Sequence, residues 1–409
     1  MEHSVNWAEQ RGAINNPAVN QMNREELETH NIHVHSFYEA TAINPTNHSV
    51  QFVNVVDGAT ESFNYDKLII ATGAHAFNLP IAGNDLDNVA TLRHGKQHQL
   101  MATVKQANIK NIVVVGAGYI GMMVSDQLSQ FGKKVTIVDI NDRPLSTYLD
   151  ADFTDILNNH MREKQIAFIP NTKVDSFSGN DHDQVTAVQT NHGVFDADLV
   201  VVSAGTRPNT DWIGGELTIN ERGYIVTDDY SKTSNKDIFA IGDSTEILYN
   251  PTHQRMNISL ASNAERQARV AVRNLFEQTK PIHGVQGSSG LQLFGELFAS
   301  TGLNTLTAGR SGIDVESTYV EQVNAMPGFS KEPAQTVRFK LFYAPKSHKI
   351  LGAAIMSTAN ETQQINIISV AIQMEMTLEQ LADADLFFQP KLTNLWNVIN
   401  VAAMRALNN

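Results

Sequence analysis

Along the middle of the chain, short and almost wholly apolar runs alternate with longer stretches whose apolar residues recur every three to four positions. That alternation predicts strands buried on both faces, joined by helices. Residues 111–115 (Asn-Ile-Val-Val-Val) form such a run. A helix is expected next, with Met122, Val124, Leu128 and Phe131 at suitable spacing and Gly132 closing it. Residues 134–139 read as the next strand, 152–164 as a helix and 166–169 as a third strand. Residues 185–194 alternate around Asn191-His192-Gly193, a hairpin signal. Residues 199–202 are another buried strand, and 205–209 break the chain after it.

Toward the C-terminus the period changes. Val337, Phe339, Leu341 and Tyr343 alternate with other residues, as a one-faced antiparallel strand would. A second strand is expected over 351–356 and a helix over 363–374, while the Gly/Ser-rich stretch 284–290 reads as a junction. The pattern predicts an α/β chain: a central domain on a parallel sheet, a flanking domain, and a C-terminal α+β domain from about residue 287. No repeat at solenoid periods is visible.

Composition narrows the class. The 409 residues suit two to three domains, and 42% hydrophobic against 18% charged residues argues for a folded core. A net charge of -13 repels nucleic acid and anionic lipid, and no local basic patch offsets it, so neither partner is expected. No apolar run approaches the roughly 18 residues of a membrane span. The first residues lack the basic and apolar parts of a signal peptide, so a cytoplasmic protein is expected. There is no cysteine, which removes disulfides, thiolate zinc sites, iron–sulfur clusters and cysteine nucleophiles.

Chemistry concentrates at three places. Gly116-x-Gly118-x-x-Gly121 follows a strand and opens a helix, and Asp139 closes the next strand 18 residues after Gly121. The glycines let the backbone approach a pyrophosphate at the helix N-terminus. Asp139 would accept from the adenosine ribose hydroxyls and repel a 2′-phosphate, favouring NAD(H) over NADP(H). A strand at 65–70 runs into the small residues Ala71-Thr72-Gly73-Ala74, and another over 233–241 ends at Gly242-Asp243. Either end alone is an ordinary strand terminus; together, flanking the glycine fingerprint, they suggest flavin or nucleotide contacts.

These segments, with Ala204-Gly205-Thr206-Arg207-Pro208-Asn209, resemble the pyridine nucleotide–disulfide oxidoreductases. Asn257-Ile258-Ser259-Leu260-Ala261, the stretch 284–290, and Phe387-Phe388-Gln389-Pro390 with Trp396-Asn397 resemble its NADH peroxidase and NADH oxidase branch, with coenzyme A-disulfide reductase a near cousin. The resemblance implies two Rossmann-like domains and a C-terminal α+β dimerisation domain. These would be a discontinuous FAD domain (1–107 and 218–286), an NAD domain (108–217) and the dimerisation domain (287–409). It implies NAD(H) at Gly116, Gly118, Tyr119, Ile120, Gly121, Asp139, Tyr148 (adenine side), Gly205 and Gly290 (nicotinamide side). It implies FAD at Ala71, Thr72, Gly73, Ala74, Arg93, Asp243, Ser259, Leu260 and Ala261. A homodimer is implied, with Phe387 and Phe388 closing over the partner's flavin and Pro390 and Trp396 near the twofold axis. Core packing within their own chain is the alternative for the two phenylalanines.

Two departures accompany the resemblance. Before Tyr65 the only glycines are Gly12 and Gly58, so the family's first Gly-x-Gly-x-x-Gly is missing, and the FAD domain is expected to lack its first βαβ unit. Counting back from Ala71-Thr72-Gly73 places the family's redox cysteine on His3. A fragment, a mis-started frame or a degenerate paralogue would each produce this. The function implied is transfer of hydride from NADH to FAD and on to hydrogen peroxide or dioxygen. The alternatives are a non-catalytic NAD-binding, dimerising remnant and a coenzyme A-disulfide reductase-like enzyme. No metal is expected, because His33 with His35, on one strand face, and His94 with His98, a helical turn apart, lack a further ligand. Arg266 and Arg269 read as a solvated helix face.

Overall fold

The apolar run at 111–115 becomes the centre of a five-stranded parallel sheet. In the computed structural model, which describes residues 24–93, 97–326, 328–329 and 333–408, that sheet has the order β6-β13-β7-β8-β9. Its strands are β6 (Val89–Thr91), β7 (Asn111–Val115), β8 (Lys134–Val138), β9 (Ala167–Ile169) and β13 (Leu199–Val202). Both faces are covered, which is why the strands read as unbroken apolar runs. Helices α3 (Tyr119–Leu128) and α4 (Ala151–Glu163) lay Met122, Val124, Leu128, Phe153, Leu157 and Met161 on Ile112, Val114 and Val201. On the other face, an antiparallel sheet of β10 (Val174–Gly179), β11 (Val185–Thr190) and β12 (Gly193–Asp196) lays Phe177, Val185 and Val188 on Val113, Val115 and Val200. Fully burying each such side chain contributes about 1.5–3 kcal/mol.

Three expectations change. Strand β6 and helix α2 (Gln97–Val104) precede residue 108, yet β6 pairs in parallel with β13, and Leu100, Met101 and Val104 share a core with Ile112. A three-residue edge strand is too short to show a period. The break at 205–209 contains a short strand, β14 (Thr206–Pro208), paired with β5 (Ala74–Ala76). His33 and His35 are not on a strand: they lie in irregular backbone before β1 (Tyr38–Asn44), and the His35 ring packs edge-on to Phe63 at 4.8 Å.

Upstream, after a short helix α1 (Arg24–Thr29), β1, β2 (Ser49–Asn54) and β3 (Thr60–Asn64) form a meander. Strand β4 (Leu68–Ile70) pairs in parallel with β15 (Ile238–Ala240), 170 residues apart, and helix α5 (Ala261–Asn274) packs Ala271 against Phe239 and Ile241. A hairpin of β16 (Ile247–Tyr249) and β17 (Gln254–Met256) follows β15. The C-terminal sheet is antiparallel, with order β18-β19-β22-β21-β20. It comprises β18 (Ser289–Leu293), β19 (Glu296–Gly302), β20 (Glu316–Val323), β21 (Thr336–Tyr343) and β22 (Ile350–Ser357). One face is covered by α7 (Ile365–Gln373), α8 (Leu378–Ala382) and α9 (Val398–Leu407). The other face places Leu293, Phe298, Ala354 and Met356 in the same core as Met122 and Leu157, so this layer and the parallel sheet share an interior.

Polar groups fasten that junction. Lys340 of β21 reaches Asp150 Oδ2 at 3.0 Å and Asp152 Oδ2 at 2.5 Å, at the start of α4. Burial pulls the Lys340 pKa down, but the two facing carboxylates outweigh it and hold the ammonium above its ordinary value. Helix α6 (Thr305–Ser311) starts at a capping box of Asn304 and Thr307; Asn304 also donates to the Ser146 carbonyl at 2.7 Å, and Thr305 Oγ1 donates to Asp150. No helix among the described residues is long and apolar enough to cross a membrane.

Candidate functional site

The glycine turn after β7 is shaped by close backbone approach. Gly116 has φ +102°, and a Cβ there would lie 2.5 Å from the Ser203 carbonyl oxygen. A Cβ on Gly121 would lie 1.8 Å from the Gly116 oxygen, so helix and turn meet only without one. Gly118, the N-cap of α3, has nothing within 4 Å of its would-be Cβ, and the turn is open on that side. The first-turn N–H groups of α3 point from this cradle, which fits a dinucleotide pyrophosphate. Ser203 Oγ, at the end of the neighbouring strand, is buried without a hydrogen-bond partner.

Asp139 stands at the end of β8, only 9% exposed. Its Oδ2 accepts from the Ala117 backbone at 2.5 Å, and its Oδ1 accepts from the Asn141 backbone and Nδ2 at 2.7 and 2.8 Å. A carboxylate offers about four acceptor positions, so these bonds leave about one for a ribose hydroxyl. Asp139 therefore ties the turn to the strand end as well as presenting a charge. Ile120, in the first turn of α3, is half exposed.

Tyr119 turns toward the C-terminal layer, where its hydroxyl shares a 2.8 Å hydrogen bond with Ser289 Oγ. Burial pushes its phenol pKa up. Tyr148, expected on the adenine side, packs its ring 4.3 Å from that of Tyr119. Ser289 and Gly290 line a cleft of about 390 Å³ with Leu297, Phe298 and Gln363. Tyr119 and Gly290, 171 positions apart, are thereby brought to one place. Gly205 is at φ +106° with open space, and its carbonyl accepts from Phe77 N beside β5.

The second cradle lies where β4 and β15 end side by side. Ala71 and Thr72 are exposed after β4, Gly73 has φ +62° and open space, and Ala74 is buried in β5. Asn209 pins this segment: it accepts from Thr72 Oγ1, donates to the Thr72 carbonyl, and meets His75 Nδ1 at 2.6 Å. After β15, Asp243 pairs with Arg93 at 2.5 Å, joining two expected cofactor residues 150 positions apart. The Gly242 N–H donates to Gln267, whose amide donates to Thr245. Ser259 donates to Asn257, which donates to Tyr224. Leu260 is the N-cap of α5 and Ala261 its first residue. Asp243, Leu260 and Asn257 border a small crevice of about 10 Å³. Paired strand ends, a carboxylate and an open helix N-terminus fit the hydroxyl-bearing and ring portions of a flavin nucleotide. A turn for its pyrophosphate is not among the described residues before Tyr65, where Gly58 serves the β2–β3 hairpin.

His3 and His94 lie outside the described residues. His98 is on α2, and the described residues hold no cluster that could bind a metal ion. Phe387 is 70% and Phe388 42% exposed, so the two rings do not pack into the core of their own chain. Asn141 and Gln267 are not marked by any sequence motif, while Asn209 and Ser289 fall inside motif segments that assign their side chains no role. For Gln267 a signal existed: Asn263, Gln267 and Asn274 lie four and seven positions apart on the inner face of α5, where apolar residues would be expected.

Residues 3–268 match the family described as pyridine nucleotide-disulphide oxidoreductase, and residues 294–398 match its dimerisation domain. An NADH oxidase of Enterococcus faecalis is 37% identical over 399 residues, 97% of this chain and 89% of that protein. The water-forming NADH oxidase of Lactobacillus brevis, solved with NADH bound, superposes with a TM-score of 0.90 at 34% identity, covering 98% of this chain and 88% of that one. An engineered NADPH oxidase derived from it, bound to NADPH, gives a TM-score of 0.91 at 34% identity over 99% and 90%. The chain belongs to the pyridine nucleotide-disulphide oxidoreductase family.

Proposed function

We propose that this chain is an FAD-dependent NADH oxidase that delivers electrons to dioxygen. The observation that carries the reading is the pair of cradles, one under Gly116–Asp139 and one at the β4 and β15 ends, in a chain of this family 37% identical to an NADH oxidase. NAD(H) is held by the backbone of Gly116, Gly118 and Gly121, by Tyr119 and Ile120, and by Asp139, with Tyr148, Gly205 and Gly290 on its flanks. FAD is held by Ala71 to Ala74, Arg93, Asp243 and Ser259 to Ala261. This assigns 1–107 with 218–286 to the flavin and 108–217 to NAD, with β6 and α2 joining the NAD sheet. When bound, FAD supplies the capacity to take a hydride from nicotinamide and to pass two electrons onward. The protein aligns the two nucleotides: Asp139 and Asn141 fix the turn, Asn209 fixes the Thr72 segment, and the Tyr119–Ser289 hydrogen bond ties the start of α3 to the segment that carries Gly290.

The product follows from the side chains present. The 409 residues contain no thiol to carry peroxide reduction, and the imidazole of His3, at the family's redox-cysteine position, has no reversible two-electron cycle with peroxide. NADH, a proton and dioxygen then give NAD⁺ and hydrogen peroxide, with peroxide as product rather than acceptor. Reduction of coenzyme A disulfide lacks the same thiol. The dimerisation-domain match and the exposed Phe387, Phe388 and Trp396 support a homodimer, with Pro390 beside them. Dependence on NADH supports a cytoplasmic setting.

The test is NADH consumption in air and under anaerobic conditions with added peroxide, both with saturating FAD. Equimolar peroxide formation in air and negligible anaerobic turnover are expected. Rapid anaerobic peroxide reduction would overturn the proposed acceptor. Failure to acquire a flavin spectrum, with NADH still bound, would point to the non-catalytic NAD-binding dimer.

A further inference from the structure

The C-terminal layer sends a guanidinium to the coenzyme's adenosine end. Arg310, in the last turn of α6, donates from Nη2 to Asn141 Oδ1 at 3.1 Å. Asn141 in turn donates twice to Asp139, so one side chain separates Arg310 from the expected ribose carboxylate. Helix α6 is fixed to that loop at its other end, where Asn304 bonds Ser146 and Thr305 bonds Asp150. Arg310 is exposed, and no carboxylate among the described residues lies within ion-pair distance of it. Beside Asn141, Ile140 is 72% exposed, so the mouth of the site is open to solvent.

We infer that Arg310 is a specificity-determining residue, a cation supplied by the C-terminal layer beside the ribose 2′ position, whose attraction for a 2′-phosphate is masked by the charge of Asp139. The inference rests on the reading of Gly116–Asp139 as the dinucleotide site. Two opposed charges then set coenzyme choice. Asp139 holds the ribose diol and repels phosphate, while the guanidinium, with its forked donors, matches phosphate geometry. Asn141 acts as a spacer that holds the guanidinium near the carboxylate without forming a direct pair. Neutralising Asp139 alone should therefore open the site to NADPH, with no arginine introduced from outside.

The full-length chain is titrated calorimetrically with 5′-AMP and with 2′,5′-ADP, which carry the adenosine end without and with the 2′-phosphate, so no flavin or turnover is required. In Asp139→Asn the ratio of 2′,5′-ADP to 5′-AMP affinity should rise at least tenfold over the unmutated chain. Adding Arg310→Gln, which keeps a donor for Asn141, should lower that ratio at least tenfold again, and 0.5 M salt should shrink the gain. Should Arg310→Gln leave the ratio within twofold of Asp139→Asn, the inference is wrong while the NAD site stands. Should 5′-AMP fail to bind the unmutated chain, the site reading itself is wrong. A thermal melt of each variant separates loss of selectivity from loss of fold.

Discussion

Replacing Lys340 by Met tests whether the C-terminal layer is fastened electrostatically to the NAD sheet. The ammonium lies 3.0 Å from Asp150 and 2.5 Å from Asp152, with side-chain exposures of 12% for Lys340, 10% for Asp150 and 31% for Asp152. At an effective dielectric of about 20, each pair attracts by about 5 to 7 kcal/mol before desolvation. Desolvation removes several kcal/mol per ion, so the net worth of the triad is far smaller. Removing only the cation leaves two carboxylates facing each other, which costs about 3 to 5 kcal/mol when they are buried. The partial hydration of Asp152 argues for the lower end, about 3 kcal/mol. Urea unfolding at neutral pH should show that loss in Lys340→Met, and adding Asp150→Asn should restore at least about 1 kcal/mol by removing one unpaired charge. The pKa of Lys340 is raised on folding, so its contribution is present below the unfolded value of 10.5 and is lost as pH rises through the higher folded value. A Lys340→Met chain as stable as the unmutated one, or a double variant less stable than the single, would refute the fastening.

Other outcomes are as specific. Asp139→Ala should weaken NADH by one charge-assisted hydrogen bond, about 1.5–3 kcal/mol, and narrow its preference over NADPH; tighter NADPH than NADH binding in the unmutated chain would count against the assignment. Phe387→Ala with Trp396→Ala should shift a dimer to monomer at micromolar concentration in sedimentation, since exposed aromatics carry much of such an interface, and an unchanged dimer would exclude these residues from it. His348 Nδ1 donates to Glu379 at 2.6 Å and, as the largest cause, holds its carboxyl at about 2. That contribution is present above the ordinary value of 4.5 and is lost as pH falls toward 2, so His348→Ala should begin acid unfolding at higher pH; superimposable curves would sink the idea.

How much the sequence discloses follows the range of the interactions. The parallel strands at 111–115, 134–138 and 199–202 are legible because burial on both faces writes itself as consecutive valines and isoleucines. The Gly116 turn is legible because its steric demand is met by residues within a few positions. The partners of Asp139 are not: a carboxylate at a strand end implies a ligand, while its bonds to Ala117 and Asn141 depend on how the turn folds back. Lys340, Asn304 and Arg310 show no local pattern, since each acts across more than a hundred residues on a neighbour that only the tertiary arrangement supplies. Strand β6 was hidden for another reason, being three half-buried residues whose pairing is dictated by the edge of β13.

The interior common to the parallel sheet and the C-terminal layer constrains how this protein can be inherited. Phe298 and Met356 fill the same space as Met122 and Leu157. A recombination event that carried off residues 287–409 by themselves would expose apolar surface on both products, one losing its roof and the other its floor. The C-terminal layer is thus not a portable cassette. Substitutions on either side of the seam must be compensated on the other, and the two halves are bound to change together.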